Sequence, residues 1–186
     1  MNITVYCGAR SGRDGGYKKL AEELGAWIAL NGHGLVYGGG KAGLMGILAD
    51  SVLAGGGRVF GIIPRFLVER ESAHDRISRL SVVETMSERK KLMIEQGDAF
   101  IALPGGTGTL EEITEVMSLI RLKRLHKPCI LFNYRGFYEP LRMLLNRMSE
   151  DGFYSPETLK VCFAATIDDI SSFLLSWYVT DFAGKI

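Results

Sequence analysis

The stretch Ala99-Phe100-Ile101-Ala102-Leu103-Pro104-Gly105-Gly106-Thr107-Gly108-Thr109-Leu110-Glu111-Glu112 decides the fold. Its first five residues are apolar without alternation, the pattern of a strand buried on both faces, and Pro104 stops it. Three glycines and two threonines follow and open a helix read to about Arg124. Glycines let the backbone approach an anion closely with its N–H groups turned inward. The start of a helix adds unpaired N–H groups and a positive dipole end. Thr107 and Thr109 add hydroxyls. No Lys-Ser/Thr pair follows the glycines, so this is not a Walker loop. Thr109 and Glu112 also spell a capping box, which gives Glu112 a purely local alternative.

Working outward, the same alternation recurs. Apolar runs at Ile3–Cys7, Leu35–Tyr37, Val59–Ile63, Leu80–Val83, Cys129–Phe132 and Val161–Ala164 read as strands. Helical periodicity covers Tyr17–Leu30, Leu44–Ala54, Met86–Gln96, Phe137–Met148 and Asp168–Trp177. Strands alternating with helices predict an α/β fold, a Rossmann-like doubly wound parallel sheet with helices on both faces. No linker or repeat divides the chain, so residues 1–186 are expected to form one domain. Segment 65–79 is polar and irregular, and is expected to be a mobile cover over a site.

Composition narrows the function. Net charge is +1 with 23% charged residues, so no basic field points to nucleic acid. No apolar run approaches the roughly 20 residues of a membrane span, and no signal peptide opens the chain. Cys7, Cys129 and Cys162 are odd in number and far apart, and read as buried reduced thiols of a cytoplasmic protein. His33, His74 and His126 have no metal-ligand spacing, and no metal or cofactor is expected.

Ligands of such sheets bind beyond the carboxyl ends of the strands. Three of the turns there are glycine-rich: 8–12, 38–40 and 104–109. Gly38-Gly39-Gly40-Lys41-Ala42-Gly43 fits G-x-G-x-x-G, but the next strand ends Ile62-Ile63-Pro64-Arg65 without the acid that would hold a ribose 2′-hydroxyl. This disfavours NAD and leaves NADP barely open. Gly39, Gly40 and Met45 are therefore read as packing against a sugar or base. Thr85 and Glu88 can cap the helix carrying Arg89 and Lys90. Cations in a first turn oppose the dipole, which hints at a partner anion.

Pro-Gly-Gly-x-Gly-Thr-x-x-Glu at 104–112, Met-x-x-Arg-Lys at 86–90 and Tyr-Gly-Gly-Gly-x-x-Gly-Leu-Met-Gly at 37–46 together resemble the Lonely Guy family of cytokinin riboside 5′-monophosphate phosphoribohydrolases. The resemblance covers nearly the whole chain. It implies a homodimer that needs no cofactor and hydrolyses AMP or N6-modified AMP to free base and ribose 5-phosphate. It implies Arg89 and Glu112 as the catalytic pair, with Lys90, Pro104, Gly105, Gly106, Thr107, Gly108, Thr109 and Glu111 at the nucleotide, and it aligns Glu71 with a substrate-contacting glutamate. A prenylated base needs an apolar pocket, for which Met45, Met86, Met117 and Leu119 are candidates. Two stretches depart from the family. Gly8-Ala9-Arg10 stands where relatives often have Gly-Ser-Ser, and Ser118-Leu119-Ile120-Arg121 where they often have Thr-Trp-Ala-Gln. Some relatives carry a lysine decarboxylase label, but no Schiff-base lysine motif supports pyridoxal chemistry here. Three rivals stay open at this stage: a nucleotide carrier without catalysis, an NADP-dependent oxidoreductase and a DNA-processing protein.

Overall fold

The computed structural model describes residues 1–70, 72–155 and 158–183, the last three by backbone alone. One parallel sheet holds seven strands: β1 (Asn2–Tyr6), β2 (Gly34–Tyr37), β3 (Arg58–Pro64), β4 (Arg79–Val83), β5 (Ala99–Ala102), β6 (Cys129–Phe132) and β7 (Val161–Ala164). Their order is β4-β3-β2-β1-β5-β6-β7. Six helices alternate with them: α1 (Gly16–Leu30), α2 (Gly43–Ala54), α3 (Met86–Gln96), α4 (Thr107–Arg121), α5 (Glu139–Glu150) and α6 (Ile167–Ala183).

The period-2 geometry of the strands feeds two cores. Ile3, Val5, Leu35, Ala99 and Ile101 face α1, α2 and α6, where Leu24, Ile28, Leu48 and Ile170 meet them. Tyr6, Val36, Phe100, Ala102 and Leu131 face the other way onto α3, α4 and α5, against Met93, Ile113 and Val116. Burying one such Leu or Ile contributes about 1.5–3 kcal/mol, against about 1 kcal/mol for a good helix cap. The two-sided apolar pattern therefore sets the architecture, and the caps trim it.

The chain winds outward from β1 to β4, crosses back to place β5 beside β1, and then winds outward the other way. Val5 pairs with Ile101 and Tyr6 with Ala102 at this central seam. Connections diverge there, so a crevice opens beyond the carboxyl ends of β1 and β5.

Several boundaries differ from expectation. α4 stops at Arg121, not Arg124. The N–H of Lys123 bonds Ile120 O at 2.9 Å and that of Arg124 bonds Leu119 O at 2.9 Å, with Lys123 at φ +56°. This is a Schellman closure built on a lysine in the left-handed region, where glycine is usual. α5 begins at Glu139, not Phe137, after a 3₁₀ turn over Tyr134–Gly136. α6 runs past Trp177 to Ala183.

Within 65–79, residues 65–67 form a 3₁₀ turn and Arg79 opens β4, and residues 72–78 are anchored to the turn after β2 and to α2. Gly40 bridges Ala73, and His74 N–H donates to Gly39 O at 2.9 Å. The buried His74 ring accepts from Arg76 N–H at Nδ1, 3.2 Å, and its Nε2 stands 3.3 Å from Asp50 Oδ1 on α2.

Gly43 opens α2 at φ +63°, where a Cβ would stand 2.3 Å from the Ala9 carbonyl carbon. Gly43→Ala is expected to cost about 1–3 kcal/mol, read as a lower denaturant midpoint. An unchanged midpoint would show that the Gly8 turn does not press on α2 as described.

Candidate active site

The crevice is a cleft of about 510 Å³. Its walls come from the turn after β1, from Gly38, Leu44 and Met45, from Leu67, from Met86, Arg89 and Met93 of α3, and from the turn and first helical residues after β5.

Arg89 reaches it because α3 is fixed at its start. Thr85 Oγ1 accepts from Glu88 N–H at 3.1 Å, and Glu88 Oε2 accepts from the N–H groups of Thr85 and Glu84 at 3.3 and 2.9 Å. That capping box, expected from the sequence, aims Arg89 inward, where it is 5% exposed. Its Nη2 donates to Gly38 O at 3.2 Å. A Cβ on Gly38 would lie 2.0 Å from that same nitrogen, so any side chain there would displace the guanidinium from this position. Arg89 Nε lies 3.9 Å from Glu112 Oε1 and makes no hydrogen bond although buried. A buried guanidinium with an unsatisfied donor is costly unless something completes it.

Glu112 is 9% exposed and lies one turn further into α4 than a cap would. The N-cap of α4 is Gly106, with no side chain capping the helix. The capping box of Thr109 with Glu112 therefore does not form. Thr109 packs instead beneath Gly105, where a Cβ would meet its Oγ1 at 2.1 Å. Gly106 and Gly108 are different. A Cβ on either would meet nothing within 4 Å. Their bareness leaves open space over the uncapped helix start.

The other anticipated residues divide. Met45, Met86, Pro104, Gly105, Gly106, Thr107, Gly108, Thr109 and Glu111 line the cleft together with Arg89 and Glu112. Lys90 does not. Its ammonium is hydrogen-bonded to Glu111 and stands 3.0 Å from Glu115, and these carboxylates hold it above the usual lysine range. Gly39 and Gly40 also fall outside the lining. Gly39, at φ +79°, packs on Ile63 and Leu80, and Gly40 bridges Ala73. Gly38 is the glycine of that turn at the cleft. Met117 and Leu119 lie away from it, and Met117 lines a groove between α4 and α5. Glu71 lies outside the described residues.

Sequence reasoning did not single out Tyr17, Phe137 and Leu67, all in the cleft wall. Tyr17 and Phe137 meet edge to face at 6.1 Å. The only signal for Phe137 was its place after a strand, hidden by the unforeseen 3₁₀ turn.

Among the described residues no three His, Cys, Asp or Glu side chains stand together as metal ligands. No helix among them is long and apolar enough to cross a membrane. Chemically, the cleft combines a neutral donor array at the start of α4 with a carboxylate beside a guanidinium. Such a site can hold an anion while presenting a carboxylate to the rest of the ligand.

The family model described as possible lysine decarboxylase matches residues 45–173. A cytokinin riboside 5′-monophosphate phosphoribohydrolase of Rhodococcoides fascians is 47% identical over 158 residues, 84% of this chain and 80% of that protein. An enzyme of the same name from Arabidopsis thaliana is 40% identical over 163 residues, 88% of this chain and 76% of that one. The molybdenum cofactor carrier protein of Chlamydomonas reinhardtii shares the fold at a TM-score of 0.70 and 20% identity, covering 96% of this chain and 98% of that one.

Cys7 lies in the cleft wall, but burial first and the Glu112 carboxylate second push its thiol far above the usual range. A protonated thiol is a poor nucleophile. Iodoacetamide near neutral pH is expected to spare Cys7 in the native protein and to modify it after unfolding in urea. Fast labelling of native Cys7, mapped by peptide mass, would contradict this environment.

Proposed function

The chain belongs to the family of cytokinin riboside 5′-monophosphate phosphoribohydrolases, and on that premise we propose that it hydrolyses the N-glycosidic bond of purine nucleoside 5′-monophosphates. The substrates are AMP or N6-prenylated AMP. The products are the free base and ribose 5-phosphate. The observation that carries this reading is the placing of Arg89 beside Glu112 in the same cleft as the uncapped, glycine-bare start of the helix that carries Glu112.

The 5′-phosphate sits at the start of α4, where the N–H groups of the first turn and the hydroxyls of Thr107 and Thr109 are its donors. Binding energy spent there orients the sugar toward Glu112. The C1′–N9 bond breaks with oxocarbenium character at C1′, and its electron pair leaves with the base. Glu112 stabilises the developing charge and takes a proton from the attacking water, whose oxygen bonds C1′. That proton passes on to the departing base, so water is added across the bond overall. Arg89 fixes the Glu112 carboxylate, and its unpaired Nε is free to donate to a sugar hydroxyl or phosphate oxygen.

On this reading the chain is a single unit that works in the cytoplasm as a homodimer and needs no metal or cofactor. The dimer face proposed is the apolar groove between α4 and α5, where Leu110, Leu144 and Met148 remain exposed. Thr107 and Glu111 line both that groove and the cleft, so a second copy seated there would border the active site.

Chromatography of incubations with AMP and with isopentenyladenosine monophosphate is expected to reveal free base and ribose 5-phosphate. Glu112→Gln should lower the rate on the order of 100-fold or more, with a native circular dichroism spectrum and a lower melting temperature, since the buried Arg89 loses its charge partner. No base release, with AMP still raising the melting temperature, would instead indicate a nucleotide carrier. Gly108→Ala should be neutral or stabilising by up to about 1 kcal/mol, since alanine suits a helix better, yet weaken AMP binding by filling the bare space. Equal AMP affinity in that variant would move the phosphate elsewhere. Leu144→Lys should shift the light-scattering mass from dimer to monomer.

A further inference from the structure

A phosphate monoester carries about −1.5 to −2 charge at neutral pH, yet the donors at the start of α4 are all neutral. The cations near it are mostly committed. Arg89 is held by Gly38 O and stands beside Glu112. Lys90 is taken by Glu111 and Glu115, outside the lining. One cationic side chain remains in the cleft wall among the described residues, and it is Arg10.

The backbone at Arg10 is wedged in place. Gly8 O accepts from Leu44 N–H at 3.1 Å. A Cβ on Gly8 would come within 3.5 Å of Gly105 Cα, and a Cβ on Gly43 within 2.5 Å of Arg10 N. Thus the turn after β1 is clamped between the phosphate turn and the start of α2, directly across the seam from Gly105. The one acid in residues 8–16, Asp14, is already used. Its Oδ2 pairs with Arg135 Nη1 at 2.6 Å and its Oδ1 accepts from Gly16 N–H at 2.8 Å. The other salt-bridged arginines, such as Arg65 with Glu84 and Arg76 with Asp50, lie elsewhere. No ion pair or hydrogen bond engages the Arg10 side chain among the described residues.

We propose that Arg10 is the charge partner of the 5′-phosphate and the residue that makes this enzyme select nucleoside monophosphates over uncharged nucleosides. The proposal rests on the phosphoribohydrolase reading given above. A guanidinium presents two parallel donors to phosphate oxygens, a match that a neutral side chain at this turn cannot make. Arg10 is a binding residue. It does not reach the breaking bond, so it acts on affinity and leaves the chemical step alone.

The test compares native protein, Arg10→Ala and Arg10→Lys by calorimetry with ribose 5-phosphate and by steady-state kinetics with AMP and adenosine. Arg10→Ala should weaken ribose 5-phosphate binding and raise KM for AMP about 10-fold or more, with kcat nearly unchanged and adenosine turnover unaffected. Arg10→Lys should recover part of the loss, and the salt dependence of AMP binding should flatten in Arg10→Ala. Unchanged ribose 5-phosphate affinity would overturn the proposal. So would equal losses toward AMP and adenosine, which would mark a structural role. If the native protein released no base from AMP, the hydrolase reading would fall. The ribose 5-phosphate affinities would then still decide whether Arg10 holds the phosphate.

Discussion

A guanidinium carried into the interior of a protein needs partners, because taking a charge out of water costs several kcal/mol even after relaxation. In this chain that demand organises the neighbourhood of the cleft. Arg89 requires a carbonyl at Gly38 and the absence of any side chain there. It requires the Thr85–Glu88 box to set the helix phase. It requires Glu112 to point inward instead of capping its own helix. Three glycine-rich or capped turns from distant parts of the sequence therefore answer to one side chain. One donor of that side chain, Nε, has no hydrogen bond although buried.

Much of this was legible from the sequence because burial on both faces leaves little freedom. β5 and β6 had to be short apolar runs, and the helices between had to carry a stripe. The Thr85 cap could be read because Thr and Glu at that spacing satisfy local donors reciprocally. The cleft could be placed because parallel strands all end at the same edge. Arg89 and Glu112 came from the resemblance, and the geometry brings them within 3.9 Å.

What escaped depended on contacts that local patterns do not encode. Of three consecutive glycines, the one that meets Arg89 is chosen by where α3 lies on the sheet, so Gly38 stood out only in three dimensions. Lys90 follows Arg89 by one residue and so faces about 100° away on the helix, toward Glu111 and Glu115. α4 ends on Lys123 in a conformation that usually advertises itself with glycine. Tyr17 and Phe137 reach the cleft from a first helical turn and from a 3₁₀ connection, neither of which has a period to detect.

The pairing of β1 with β5 also governs when the site comes into existence. Ile3 lies beside Ala99, so about half the chain must be closed into a loop before that pair can form. Such distant pairings are entropically late. The cleft straddles this join, with the Gly8 turn on one bank and Gly105 on the other. Both banks are in place only once β1 and β5 have paired. A ligand bridging them would add its binding free energy to that join rather than to one loop. It would act as a rivet through the two halves of the winding, and its occupancy would slow their separation.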